Sequence, residues 1–375
     1  MKIAIQAADL DHTRIDGTRV YIKNLLKYFG RLDPASDFLI YHKDKFNPEL
    51  APPKFPNYQV IRKSWPLFWT QLRLSSAVWR AKPDVLWMPM HNIPLFRSGK
   101  LKTVVTIHDL AFKYFPECFT RKELWKLNFL AGLAIGRCDK IITISHSSKK
   151  DIMKFYPDIR EDKIEVIYHG FDRNIFGRER KSEREEEIKK NLKITGKYIL
   201  YIGAIQPRKN LAVLISAFEE LKKENQQKDV QLVLVGEKAW LWEDVFKQIE
   251  KSPYQSDIIT PGRIKFEDIG HLMRGAAVFC FPSLYEGFGI PVLEAYAAGV
   301  PVVCAKNSSL PEVAGDAALY FSGEDAGQLT ENLKNILADK NLRDNLIAKG
   351  KKQLEKFSWE KCARETLNCL KSVAR

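Results

Sequence analysis

The chain has no long hydrophobic run: nowhere among its 375 residues do about 18 apolar side chains follow one another, so no membrane-spanning helix is expected. It has no C-x-x-C pair either. The six cysteines (Cys118, Cys138, Cys280, Cys304, Cys362 and Cys369) are scattered, several in apolar strand-like runs, which suits a reduced, cytosolic compartment. The opening "MKIAIQAADL" lacks the n-region and cleavage site of a secretory leader and reads as a short strand. No solenoid-length repeat, low-complexity tract or recognisable nucleic-acid motif occurs.

What the chain does have is length, apolar content and positive charge. With 45% hydrophobic and 28% charged residues, 375 residues suit two globular domains, each able to bury a core. The net charge of +14 is uneven, because residues 1–170 carry 28 Lys and Arg against 17 Asp and Glu. Such a basic half admits nucleic acid, an anionic membrane or a phosphorylated ligand as partners. Without a motif, nucleic acid is set aside.

Short apolar runs alternate with helical patterns, which points to parallel α/β sheets. In the first half the expected strands are "KIAIQ", "FLIYH", "DVLWMP", "TVVTIHD", "KIITIS" and "KIEVIYHG", with helices such as "VYIKNLLKYFG" and "SSKKDIMKFY" between them. The charged stretch Gly177 to Lys197 reads as a linker with a solvated helix inside it. The second half restarts with "YILYIGAI", "VQLVLVGE", "RIKFED", "VFCFPS" and "VPVVCA", and amphipathic helices close the chain. In "LAVLISAFEELKKE", Leu211, Leu214, Ile215, Phe218 and Leu221 share one helical face. The expected fold is two doubly wound, Rossmann-like domains facing a cleft, over residues 1–175 and 176–355.

In open α/β sheets, ligands bind beyond the carboxyl ends of the strands. One strand of the second half ends at Gly203, and its loop carries Arg208 and Lys209, with Asn210 placed to cap the next helix. Another ends at Gly236, where a backbone can be approached closely. A third runs into "YEGFGIP", whose Gly287 and Gly289 free backbone N–H groups and whose Pro291 suits a first helical position. Two cations and a helix N-terminus make a metal-free diphosphate site. Glu286, before the turn, is expected to face the cleft, and Glu294 to sit in the first helical turn, where the dipole favours a carboxylate. A carboxylate accepts two hydrogen bonds from a vicinal diol, so the pair suits the sugar and the ribose of a nucleotide sugar.

The segment "PSLYEGFGIPVLEAYAAGVPVV", with seven residues between its glutamates, resembles the signature of glycosyltransferase family 4, retaining enzymes of the GT-B fold. "GAIQPRKNL", "TIHDLAF", "IITISHSSKKDI", "VIYHGFD", "SSLPEVAGDAALYF" and "FSWEKCARETL" follow the family order and are similar to bacterial O-antigen mannosyltransferases. The resemblance implies catalytic roles for Arg208, Lys209, Glu286 and His108. Arg208 and Lys209 would hold the donor diphosphate and stabilise the leaving group. Glu286 would bind sugar hydroxyls with the backbone of Gly287, Phe288 and Gly289, Glu294 would bind the ribose, and His108 would face the donor sugar. Residues 356–375 would form a helix returning to the first domain. The resemblance further implies hexose transfer in surface polysaccharide or lipopolysaccharide synthesis, with GDP-mannose as donor and a lipid-linked saccharide as acceptor, in the cytoplasm at the membrane. No cofactor or metal is expected. The base is expected near "TPGRIKF", around Arg263. Family members usually carry two glycines in the loop after the first strand; here "IDGTRVY" has only Gly17.

Competing readings stay open. A UDP-sugar-dependent glucosyltransferase, or a nucleotide-sugar epimerase on the same fold, could use the same nucleotide grip. "DLD" at Asp9–Asp11 matches a metal–diphosphate pattern but is short and is read as loop; His146 and His169 are read as structural. The segment Ile61 to Trp87 holds Trp65, Trp69, Trp79 and Trp87 interleaved with Arg62, Lys63, Arg73, Arg80 and Lys82. With Leu67, Leu74 and Val78 near helical spacing, it is either a core helix or an interfacial one meeting anionic lipid.

Overall fold

A computed structural model describes residues 1–65, 67–177, 182–224 and 227–374. The chain divides into two compact units, Met1–Gly170 with Phe357–Arg375, and Phe171–Lys356. Among the described residues no helix is long and apolar enough to cross a membrane.

The first unit is built on seven parallel strands: β1 (Lys2–Gln6), β2 (Asp37–His42), β3 (Tyr58–Arg62), β4 (Val85–Met88), β5 (Lys102–Ile107), β6 (Lys140–Thr143) and β7 (Ile164–Val166), in the order β3-β2-β1-β4-β5-β6-β7. Both faces are covered, so the central strands are apolar throughout rather than alternating; Ile3, Ala4 and Ile5 are all fully buried. Helix Gly17–Leu32 starts on Asp16, whose side chain accepts from Arg19 N, and buries Tyr21, Ile22, Leu25, Leu26 and Phe29 at helical spacing. The final helix, Trp359–Ala374, packs beside it through Trp359, Cys362, Ala363, Thr366, Leu367 and Leu370. In the loop after β7, Gly170 lets the start of the final helix come close to that loop, since a Cβ there would overlap the Trp359 backbone.

The second unit has six parallel strands: β8 (Tyr198–Ile202), β9 (Gln231–Val235), β10 (Ile258–Gly262), β11 (Val278–Phe281), β12 (Val302–Ala305) and β13 (Ala318–Phe321), in the order β10-β9-β8-β11-β12-β13. The order reverses between β8 and β11. In doubly wound sheets that reversal opens a crevice at the carboxyl edge, where ligands sit.

Several expectations need correction. "RIKFED" is not a strand: the sheet takes the preceding Ile258–Gly262, and Phe266–Gly275 is a helix. Glu267 and Asp268 fill that helix's first turn while Leu272 and Met273 are buried at its far end, an arrangement a strand could not use. Strands β3 and β13 were not anticipated. Of the expected linker, residues 178–181 lie outside the described residues. The helix that follows, Ser182–Leu192, is not solvated all round: Ile188 is buried, and Glu185 pairs with Arg274 at 3.3 Å, both side chains under 10% exposed. A charged sequence hides that packing because the buried charge is matched by a partner 89 residues away.

Candidate active site

The carboxyl edge of the second sheet gathers those of the residues singled out from the sequence that lie in the second unit. After β8 the chain makes a short turn, Pro207–Lys209, and after β11 it runs through Pro282–Gly289 into helix Ile290–Ala297. These two loops are stitched together. Leu284 N donates to Arg208 O at 2.9 Å, Arg208 Nη1 donates to Tyr285 O at 2.5 Å, and Asn210 Nδ2 donates to the carbonyls of Pro282 and Gly323. Asn210 therefore does not cap helix Leu211–Lys222 with its side chain; it sits in the left-handed region at φ 56° and ties loops instead.

Lys209 Nζ donates to Glu286 Oε1, and Arg208 Nη1 lies 3.7 Å from Glu286 Oε2. All three side chains are at most 15% exposed. Burial pushes the Glu286 carboxyl up, but the charges of Lys209 and Arg208 outweigh it and hold the group below the ordinary carboxylate range. The triad carries one net positive charge. The two neighbouring cations thus cancel the repulsion that Glu286 would otherwise offer an anionic ligand.

Glu294 differs. Helix Ile290–Ala297 begins at Ile290, so Pro291 is its second residue and Glu294 its fifth, beyond the first turn. Burial, helped by the Asp172 carboxylate, pushes Glu294 up to about 8. The helix dipole reaches only the first turn and does not offset the lost solvation. One carboxyl is held ionised and the other keeps a proton at neutral pH.

The turn itself depends on Gly289, which precedes the helix at φ 109°, a conformation that favours glycine. Phe288 is buried and its carbonyl accepts from Ser309 Oγ at 2.8 Å, so its contribution to the turn is backbone. Ser309 Oγ also donates to Glu286 O at 2.9 Å, and Glu286 N donates to Ser308 Oγ at 2.9 Å. Ser308 and Ser309 were missed as supports of the site, although "NSS" before a Leu-Pro helix start was a visible signal. At the next strand ends, Gly236 N donates to Gly262 O and Gly203 N to Val235 O, and a Cβ on Gly236 would overlap the Gly203 carbonyl. Arg263, just past β10, is half-exposed and pairs with Glu237 at 3.4 Å.

Two candidates lie in the first unit. His108 follows β5; its Nε2 donates to Pro89 O at 2.9 Å, leaving Nδ1 as the acceptor. Burial, partly offset by that bond, holds its pKa below the ordinary histidine value. His169 lies with its ring 5.7 Å from that of His108, and Tyr21 stacks on it at 4.8 Å. Gly17 opens helix Gly17–Leu32 with no atom within 4 Å of where a Cβ would stand. Asp11 of "DLD" ties down a neighbouring loop, facing His42 Nδ1 at 3.1 Å and accepting from Lys43 N and Asp44 N. Among the described residues, no group of three or more His, Cys, Asp or Glu side chains is placed to hold a metal ion.

Two family models match this chain: Glycosyltransferase Family 4 over residues 15–174 and Glycosyl transferases group 1 over residues 183–353. O-antigen chain mannosyltransferase B of Escherichia coli is 30% identical over 270 residues, covering 72% of this chain and 70% of that protein. The chain belongs to glycosyltransferase family 4. This glycosyltransferase is also 28% identical over 278 residues to the serotype-specific mannosyltransferase WbdA of Escherichia coli, spanning 74% of its own length but only 33% of WbdA's. Among solved structures, HepE of Anabaena in complex with UDP and glucose is similar with a TM-score of 0.77 over 99% of this chain and 100% of that one. At 18% identity that likeness is one of fold, the GT-B fold expected from the sequence.

Proposed function

We propose that this glycosyltransferase moves mannose from GDP-mannose, with retention at the anomeric carbon, to a saccharide acceptor carried on lipid, in the cytoplasm at the inner face of the membrane. The observation that carries the reading is the Arg208–Lys209–Glu286 triad at the strand-order reversal of the second sheet. Its cations and the backbone of the Gly287–Gly289 turn suit a diphosphate. Its ionised carboxylate suits the hydroxyls of the transferred sugar. Mannose and the lipid-linked acceptor rest on the relatives named as O-antigen and serotype-specific mannosyltransferases.

The chemistry follows from which groups hold charge. Glu286 is engaged by two cations and Glu294 keeps its proton, so neither is a free carboxylate nucleophile for a double displacement. Departure of the nucleoside diphosphate, with oxocarbenium character at the anomeric carbon, puts negative charge on the phosphate, where Arg208 and Lys209 stabilise it. The acceptor oxygen then bonds to that carbon from the leaving-group face, and its proton passes to the departing phosphate. Glu294 binds the ribose as a neutral carboxyl, donating from one oxygen and accepting at the other, rather than as the carboxylate expected from the sequence, and Arg263 would meet the base.

The test is incubation with GDP-mannose and, separately, UDP-glucose, with release of nucleoside diphosphate followed and the product anomer read by NMR. Turnover of GDP-mannose with retained configuration is expected. Turnover of UDP-glucose alone would move the enzyme to the glucosyltransferase reading, and an inverted product would overturn the mechanism.

A further inference from the structure

The cations of the diphosphate site answer to phosphates that every nucleoside diphosphate shares, so they cannot choose the base. The choice has to be made further along the same edge. Next to β8 stands β9, and next to that β10, the last strand of the sheet. Glu237 follows Gly236 just past β9, and Arg263 follows Gly262 at the end of β10. Their side chains are 49% and 47% exposed and meet, Arg263 Nη1 donating to Glu237 Oε1 at 3.4 Å. Neighbouring strands lie about 4.8 Å apart, so β10 ends roughly 10 Å from β8. A nucleoside whose diphosphate sits on Arg208 and Lys209 spans that distance.

The backbone fixes Glu237 in that place. Ile205 N donates to Glu237 O at 2.9 Å and Ala239 N to Ile205 O at 3.0 Å, which joins its loop to the one carrying Arg208 and Lys209. On the other side Gly236 N donates to Gly262 O at 3.0 Å. Lys238 is engaged elsewhere, its ammonium 3.8 and 4.0 Å from the ring centres of Trp242 and Phe246. Leu241 closes the loop in the left-handed region at φ 54°, a costly conformation for a bulky residue and one that recurs at ligand clamps. Among the described residues, Glu237 Oε2 and Arg263 Nη2 have no protein partner. An exposed pair of this kind adds little to stability, so its value has to lie in what it can bind.

We propose that Glu237 selects guanine, accepting from the N1–H and the N2 amino group of the base while Arg263 donates to O6. The order of groups decides it. Along its pairing edge guanine runs acceptor, donor, donor, and a guanidinium beside a carboxylate offers donor, acceptor, acceptor. Uracil runs acceptor, donor, acceptor, which sets its second carbonyl against a carboxylate oxygen. Adenine and cytosine each bring one amino group and leave half of the carboxylate unused. A site built to hydrogen-bond its ligand rejects an analogue that leaves those groups unpaired. The inference deepens the proposed function. That the base meets Arg263 rests on that reading, and the assignment of Glu237 adds a physical ground for GDP over UDP.

The test is calorimetric titration of GDP, inosine diphosphate (IDP), UDP, ADP and CDP into the full chain and into Glu237→Ala. Wild type should bind GDP about tenfold more tightly than IDP, which lacks only the N2 amino group, and at least tenfold more tightly than the other three. Glu237→Ala should weaken GDP by roughly tenfold to a hundredfold, bring it level with IDP and leave UDP at least as tight. The melting temperature should not change, since the pair is half-exposed. A variant that still prefers GDP to IDP as wild type does overturns the assignment. So does equal weakening of all five nucleotides, which a merely structural role would give, and so does wild type that binds UDP as tightly as GDP. Transfer from GDP-mannose separates this inference from the proposed function. Glu237→Ala that transfers mannose with its base selectivity intact defeats the assignment alone. Wild type that selects GDP through Glu237 but transfers no mannose upholds the assignment and defeats the proposed function.

Discussion

Lys209 and Glu286, 77 positions apart in sequence, meet as an ion pair in a nearly buried site, with Arg208 on the other carboxylate oxygen. The pair explains how a phosphate-seeking loop tolerates a glutamate. It also makes Lys209 a nearly buried, paired cation rather than a surface one, which suits the role proposed for it at the leaving diphosphate.

Lys209→Ala should therefore lower kcat by roughly 10²–10³, the loss expected when one stabiliser of developing charge is removed. Steady-state turnover of donor checks this, with circular dichroism confirming the fold. Near wild-type turnover would take Lys209 out of the mechanism.

Glu294 predicts a pH dependence of stability. Its pKa is raised from 4.5 to about 8 in the folded chain. Between those values the folded state holds a proton that the unfolded state has released, so stability falls as pH rises across that window. The slope reaches at most about 1.4 kcal/mol per pH unit for one group. Urea unfolding across that range should show Glu294→Gln with a flatter limb than wild type. Parallel curves would place the carboxyl in a solvated setting.

Gly236→Ala should destabilise the chain by about 1–3 kcal/mol, because the added Cβ meets the Gly203 carbonyl, a backbone atom that cannot rotate away. Thermal unfolding measures it. An unchanged melting temperature would mean that the two strand ends separate easily.

His108→Ala should cut kcat/KM roughly 10²-fold, the scale of one positioned donor or acceptor in a transition state, while the fold persists. A variant with normal turnover would make His108 structural, held by Pro89 and Tyr21.

Much of this was legible in the sequence. Buried parallel strands are continuous apolar runs, and most were readable as such. The turn around Gly289 and the cations after β8 were readable from residue type and position. The strand at Ile258–Gly262 was not, because its Pro261 and Gly262 look like a loop. The pairing of Lys209 with Glu286 was not, because spacing says nothing about contacts between separate loops. The raised pKa of Glu294 was hidden because it depends on burial and on Asp172, 122 positions upstream by number. The segment Ile61 to Trp87 was half legible: its tryptophans and arginines marked it, but periodicity could not say that Leu67 and Phe68 meet solvent while Trp69, Leu74 and Val78 are buried.

The central claim is that Arg208 and Lys209 bind the donor diphosphate without a metal. Calorimetric titration of GDP into the full chain in excess EDTA tests it most directly. The account predicts binding that EDTA leaves intact and that Lys209→Ala weakens by about tenfold or more, the loss of one charge-assisted contact. GDP binding that appears only when magnesium or manganese is added, or that is the same in Lys209→Ala as in wild type, would contradict it.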